Sequence, residues 1–294
     1  MNIETIKKAI SNPVLAKDYL LGEIIATFAP KRYCTVAGNR SGSEHRMYIH
    51  FVERANRNYK VFSRFKSHPH YREILEHVSR EHGAEYLKLI LEVSPDLIQK
   101  IEQFKINDIV GKPMTFSYSK IGNISPTTLR YLKVTSDLRN LFGDLNGKKV
   151  AEIGVGYGGQ LLVLDRIYSF YQYHLFDLQP VLALTSRYLE HHTLNSSYKL
   201  CTLNQCDGCY SYDLAISNYG FSELPIHIQV QYIKKVLSKS KCGYLTMNSG
   251  KGPPERTINQ LTLVQLHKLL PPFQILEERP LTRPENYILV WGQS

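Results

Sequence analysis

The segment from Lys148 to Gln160 reads Lys-Lys-Val-Ala-Glu-Ile-Gly-Val-Gly-Tyr-Gly-Gly-Gln, an apolar run that turns through four glycines in six residues. Leu161-Leu162-Val163-Leu164 follows and reads as the opening of a helix. Glycine lacks a Cβ, so it accepts positive φ and lets a ligand approach the backbone closely. A strand-to-helix turn of this kind also leaves amide N–H groups unpaired at the helix start, where a polar ligand can meet them. The spacing is Gly154-x-Gly156-x-Gly158-Gly159, so Gly158 is an extra glycine relative to the dinucleotide pattern. A phosphate loop is excluded, because no Gly-Lys-Ser/Thr follows.

About two dozen residues past Gly154 comes Tyr171-Gln172-Tyr173-His174-Leu175-Phe176-Asp177, a β-type run that ends in an acid. In doubly wound folds an acid at the end of the second strand bonds the ribose hydroxyls of a nucleotide. Glu152 precedes the first glycine by two residues. Together, the Glu-Ile-Gly-x-Gly-x-Gly-Gly run and the downstream Phe-Asp resemble the S-adenosyl-L-methionine (SAM) site of the class I methyltransferases. That resemblance implies a Rossmann-like α/β fold built on a seven-stranded sheet whose last strand is antiparallel. It also implies SAM as cofactor, held by Glu152, Gly154, Gly156, Tyr157, Gly158, Gly159, Gln160, Asp177 and Leu178.

The rest of the chain organises around this turn. Residues 1–110 read as a mostly helical domain or cap: Tyr71, Ile74, Leu75 and Val78 recur at helical spacing, Gly83 interrupts, and Ser94-Pro95-Asp96 opens a further helix. Residues 111–147 read as a polar connector followed by a helix, capped by Ser125 or Thr127, that covers the SAM pocket. Tyr131 on that helix is assigned to the cofactor, and Tyr118, Ser125, Thr127 and Arg130 to the substrate. From 148 to 294 strands and helices alternate, the pattern of a parallel sheet layered with helices. Strands are predicted near 149–153, 172–176, 198–203, 212–218 and 242–248. The helix after the glycines is predicted to run to about Ser169, and further helices near 226–238 and 261–270. The chain closes with 273–276 and 287–291 as two strands with no helix between them, which supplies the antiparallel strand.

Composition excludes several classes. A 43% hydrophobic and 21% charged chain fits a soluble globular protein. The apolar run Tyr19–Ile25 is broken by Glu23 and too short to span a bilayer, and no signal-peptide pattern opens the chain, so a cytoplasmic location is expected. The five cysteines are irregularly spaced, which suits reduced thiols, and Cys206-x-x-Cys209 lacks the ligands that would complete a zinc site, so no metal is expected. The net charge of +10 is uneven. Ten Lys and Arg lie between Lys31 and Arg72 against Glu44 and Glu53, which suits an anionic partner.

Strand four ends in Ser217-Asn218-Tyr219-Gly220-Phe221-Ser222-Glu223-Leu224-Pro225. Ligands in such sheets sit outside the carboxyl ends of the strands, so Ser217, Asn218 and Tyr219 are placed at the cofactor and Glu223 at the acceptor. Asn204 after strand three is placed at the adenine. The absence of a Pro-Pro pair after Asn218 counts against methylation of a DNA base, and the neutral Asn218 counts against a divalent ion. The strand-four run resembles the bacterial sugar O-methyltransferase family named after the nanchangmycin pathway enzyme. So do Gly243-Tyr244-Leu245-Thr246-Met247-Asn248, Gly122-Asn123-Ile124-Ser125-Pro126-Thr127-Thr128 and Phe65-Lys66-Ser67-His68-Pro69. The likeness covers roughly residues 60 to 294. It implies a SAM-dependent O-methyltransferase acting on a sugar hydroxyl of a nucleotide sugar, glycan or glycosylated natural product, with functional weight at Glu223 and Asn248.

A sugar hydroxyl is a weak nucleophile, and a base within hydrogen-bond reach accelerates its attack. Glu223, His227 and Asn248 are the catalytic candidates. Glu223 and His227 are four apart and share a face if one helix contains both. The expected partner is a sugar-containing, anionic small molecule or glycan, nucleic acid is disfavoured, and a homodimer is left open. Two other readings remain: an RNA methyltransferase using the basic segment, and a non-catalytic SAM-fold binding module.

Overall fold

The computed structural model describes residues 46–248 and 260–293. The apolar run near Tyr19, Cys34, Glu44 and the basic residues Lys31, Arg32 and Arg40 lie outside the described residues.

Helix α1 (Arg46–Arg57) opens the described chain, and short helical turns at Tyr59–Phe62 and Pro69–Arg72 lead to α2 (Arg80–Val93). After further short turns, β1 (Phe116–Tyr118) and β2 (Gly122–Ile124) form an antiparallel hairpin. Helix α3 (Pro126–Phe142) follows, with Ser125 as its N-cap accepting from the Thr128 amide at 3.1 Å. Then come β3 (Lys149–Ile153), α4 (Gly159–Leu164), β4 (Gln172–Phe176), α5 (Gln179–Leu189), β5 (Tyr198–Cys201) and β6 (Tyr212–Asn218). Helix α6 (Ile226–Lys235), β7 (Ser240–Met247), α7 (Leu263–Leu269), β8 (Gln274–Glu277) and β9 (Tyr287–Trp291) complete the chain.

The large sheet has the order β5-β4-β3-β6-β7-β9-β8. Its pairings are parallel from β5 to β7, and β9 runs antiparallel to both β7 and β8. This is the Rossmann-like seven-stranded architecture of the class I methyltransferases, with the last strand inserted antiparallel beside the fifth. Alternation along each strand explains its two covered faces. Val150, Tyr173, Leu175, Ile216, Tyr244, Ile288 and Val290 face a core shared with α1 to α5. Ala151, Ile153, Phe176, Leu245, Met247, Leu289 and Trp291 face a second core with α6 and α7. Gly243 makes room for the Trp291 ring lying against it. The first core runs without a break from Tyr48 through Leu138 to Leu189, so the helical segment, the α3 cover and the sheet bury one another.

Several predicted elements differ in the structure. The helix after the glycines stops at Leu164 rather than near Ser169, because the Asp165 carboxylate accepts the Asn195 and Ser196 amides and fixes the chain as a corner. Gly83 does not interrupt a helix. It lies inside α2, where the Tyr118 hydroxyl and Pro126 occupy the space a Cβ would need. The periodic run from Tyr71 to Val78 is helical only to Arg72, and the residues after it turn onto the glycine segment. Lys66, one of the ten cations of the basic run, is fully buried and donates to the Asn107 carbonyl, so it is no part of a basic face.

Candidate active site

The glycine segment bends sharply because three of its residues, Gly154, Gly156 and Gly158, adopt positive φ. Gly154 also passes directly against Gly220 from the end of β6: a Cβ on Gly154 would lie 2.7 Å from the Gly220 Cα, and one on Gly220 would lie 2.8 Å from the Gly154 Cα. Ser217 ties the same two strand ends, donating to the Ile153 carbonyl at 2.8 Å and accepting the Phe221 amide at 2.9 Å. Ser217 is therefore a buried stitch between strands rather than an open ligand group.

Asp177, at the end of β4, accepts the Gly156 amide at 3.1 Å and its neighbour Leu178's amide at 2.7 Å. Burial pushes its carboxyl up to about 6, and the amides of Leu178, Gly156 and Val155 pull it back. A carboxylate has about four acceptor sites, so capacity remains after these bonds. Tyr48 from α1 is buried, its hydroxyl acidity suppressed first by burial and then by the nearby carboxylates of Asp177 and Glu223. It thus lies within electrostatic range of Asp177 and Glu223 while stacking on Tyr71, a placement that no sequence pattern marked.

The neighbouring helix start is closed by side chains. Gln160 is buried and donates to the Tyr131 carbonyl and Thr135 hydroxyl at 3.2 Å each, while accepting from Asn218 at 3.3 Å. The Asn218 Oδ1 is buried without a partner. Tyr157 is fully buried, its hydroxyl accepting from Asn107 at 3.1 Å and its ring lying 4.0 Å from the Lys66 ammonium. Rings of Phe65, Tyr71, Tyr131 and Tyr188 surround it at 4.9 to 6.3 Å. Tyr131 and Tyr157 together exclude any side chain at Gly159. Glu152 is 2% exposed and accepts the Tyr173 hydroxyl at 2.7 Å. Burial raises its carboxyl to about 8, against the pull of that hydroxyl.

Past the end of β6, Tyr219 adopts positive φ, uncommon for a residue with a side chain. Its amide bonds the Thr246 carbonyl at 2.9 Å and its hydroxyl meets Glu278 and Thr282, which hold the turn in place. Glu223 follows and accepts from Asn248 Nδ2 at 3.1 Å, and Asn248 Oδ1 is buried without a partner. Burial raises the Glu223 carboxyl to about 7, while Arg283 and the Asn248 amide lower it. The expected Glu223–His227 pair is not formed. Pro225 is the N-cap and α6 starts at Ile226, so Glu223 lies outside the helix and His227 is exposed on its first turn.

The remaining predicted residues are dispersed. Tyr118 donates to the Arg80 carbonyl at 3.1 Å, and Ser125 donates to Asp108 at 2.7 Å, so both hydroxyls serve the packing of the helical segment. Thr127 is buried and bonds Glu76. Arg130 is buried, donates to the Leu75 carbonyl at 3.2 Å, and stands over the Tyr131 ring at 5.6 Å. Asn204 is exposed in the turn after β5. Among the described residues no cluster of three His, Cys, Asp or Glu could hold a metal ion, and no helix is long and apolar enough to cross a membrane.

No family model matches the chain, and no curated protein does. Similar solved structures include magnesium protoporphyrin IX methyltransferase from Synechocystis PCC 6803 with bound SAH, at 15% identity over 55% of this chain and 80% of that one, TM-score 0.40. A T. thermophilus 16S rRNA methyltransferase in complex with AdoMet and guanosine is 17% identical over 62% of this chain, TM-score 0.40, and this chain spans only 46% of its length. A SAM-bound amino pentose methyltransferase from Micromonospora echinaspora, involved in calicheamicin biosynthesis, is 11% identical over 55% of this chain and 89% of that one, TM-score 0.40. The strand order and the geometry of the turn, rather than these likenesses, carry the reading below.

Proposed function

We propose that the protein is a SAM-dependent O-methyltransferase whose acceptor is a sugar hydroxyl. The observation that carries the methyl-transfer part of this reading is the placement of two carboxylates at the carboxyl edge of one sheet. Asp177 lies against the glycine turn, and Glu223, held by Asn248, lies beyond the adjacent β6 end. The first suits a ribose hydroxyl pair. The second suits a general base, since burial holds it near 7. The orphaned Oδ1 atoms of Asn218 and Asn248 supply further acceptors in the same region, and buried polar atoms without partners are rare unless a ligand completes them.

SAM, when bound, supplies an electrophilic methyl group on a sulfonium. The chain's part is to position and to move one proton. Gly154 and Gly220 bring two backbones together so that a ligand can lie against both strand ends. Asp177 fixes the nucleoside, and Glu223 takes the acceptor's proton as its oxygen attacks in line. Asn248 orients the Glu223 carboxylate, and His227, exposed and unpaired with Glu223, has no part in that relay. The segments before Lys148 act as the cover of the site and the remainder as its cofactor-binding body. The sugar as acceptor class rests on the sequence resemblance of the strand-four and strand-five runs. Incubating the protein with labelled SAM and fractionated nucleotide sugars, followed by mass spectrometry, tests it. Transfer to a sugar hydroxyl is expected, and transfer to RNA alone would replace this reading.

A further inference from the structure

The turn after Tyr71 and helix α3 bring two opposite charges, Glu76 and Arg130, to the glycine segment, and neither was part of the cofactor set expected from sequence. Leu75 lies against Gly156, where a Cβ would sit 2.9 Å from Leu75 Cδ1. Arg130 holds this turn by its bond to the Leu75 carbonyl, and Glu76 is the next residue. Glu76 is 8% and Arg130 7% exposed. Both are charged groups taken out of water, which is costly unless each finds a counter-charge and hydrogen bonds. The two attract each other, yet Glu76 Oε1 and Arg130 Nε each lacks a hydrogen-bond partner, and so does the fully buried Tyr71 hydroxyl. Lys66, the other cation near Glu76, already donates to the Asn107 carbonyl and the Tyr188 hydroxyl. Tyr71 also lies within electrostatic range of Asp177 and Tyr48, and Arg130 within range of Tyr219. The orphaned groups therefore gather at the turn that Leu75 packs against Gly156 and that Arg130 holds.

We propose that Glu76 and Arg130 form the subsite for a zwitterionic α-amino-acid group. Glu76 Oε1 accepts from the ammonium, and the Arg130 guanidinium receives the carboxylate. Within the SAM reading, on which this rests, that group is the methionine end of the cofactor. A pair of opposite buried charges is complementary to a zwitterion and to neither ion alone, so the subsite selects the whole amino acid and rejects nucleosides that lack it.

Calorimetry with S-adenosylhomocysteine (SAH), its decarboxylated analogue and 5′-methylthioadenosine tests the assignment on the full chain. The wild type is expected to bind SAH at least about tenfold more tightly than the decarboxylated analogue, the scale of a charge-assisted hydrogen bond. Arg130→Met should abolish that difference, and Glu76→Gln should weaken SAH by about tenfold, while both leave 5′-methylthioadenosine affinity unchanged. A wild type that binds SAH and the decarboxylated analogue equally overturns the subsite without needing any variant to fold. Equal losses for SAH and 5′-methylthioadenosine in both variants also overturn it, since they report damage to the shared pocket. A wild type that binds none of the three ligands overturns the cofactor reading itself and the subsite with it.

Discussion

Asn248 donates its side-chain amide to Glu223 Oε1 across 3.1 Å, and this bond joins the end of β7 to the loop beyond β6. The amide favours the ionised carboxylate, so it opposes the burial that raises Glu223 to about 7. Turnover that uses Glu223 as a base should therefore rise with pH through about 7. Glu223→Gln should lower it by about 10²–10⁴-fold with cofactor affinity intact. Asn248→Leu should move the ascending limb to higher pH, because a hydrogen bond that stabilises the charged form is gone. His227→Ala should leave both rate and profile unchanged. A pH–rate series on the three variants distinguishes these outcomes, and an undisturbed Glu223→Gln enzyme would place the base elsewhere.

Asp177→Ala should weaken SAH binding by at least about tenfold, since bonds to a charged group contribute roughly 1.5–3 kcal/mol each. It also deletes the acceptor for the Gly156 and Leu178 amides, so Asp177→Asn is the cleaner variant for the ribose contact. Calorimetry with both, beside thermal melts, separates lost ligand contact from a loosened turn.

Glu152 gives a stability signature. Its folded carboxyl sits near 8, against an ordinary value of 4.5. The folded state thus keeps a proton that the unfolded state has already lost, and the associated stability is present at low pH and lost as pH climbs from about 4.5 to about 8. Glu152→Gln should flatten that part of the stability–pH curve relative to wild type. Urea titrations at several pH values read it directly, and parallel curves for the two proteins would contradict the protonated Glu152–Tyr173 pair.

Gly220→Ala should cost about 1–3 kcal/mol of stability, typical of overpacking, because its Cβ would meet the Gly154 backbone rather than a flexible side chain. SAH affinity should fall with it, as the two strand ends are forced apart. Gly147→Ala is the comparison, since a Cβ there meets nothing and only its positive φ is strained.

Much of the sheet was legible because its central strands are continuous apolar runs bounded by turn residues, the pattern that burial on both faces imposes. The glycine turn and Asp177 were legible for a different reason: their residue types meet backbone requirements that few others satisfy. What escaped were features made by distant contacts. Asp165 ends a helix through amides 30 residues on, Gly83 is tolerated in a helix because Tyr118 fills its empty side, and the β1–β2 strands are too short to display alternation. Glu223 and Asn248 were both named from the sequence, but the bond between them was not foreseen, because a spacing of four suggested His227 instead. Tyr48 and Glu76 left no local signal, since only tertiary folding brings α1 and the turn after Tyr71 to the glycine segment.

The ring of Tyr157 is packed among Phe65 and Tyr71 from early in the chain and Tyr188 from later. A ribosome delivers Phe65 and Tyr71 long before either Tyr157 or Tyr188 exists. Until both arrive, the newly made segment carries apolar rings with nothing to cover them, the condition under which nascent chains aggregate or engage chaperones. Strand β3 can pair with β4 soon after both are made, Lys149 opposite Gln172, but the ring cluster around Tyr157 spans from Phe65 to Tyr188 and therefore sets later. A chain halted before Tyr188 lacks one wall around Tyr157, so the glycine turn gains its full support only when residues far apart in synthesis have met.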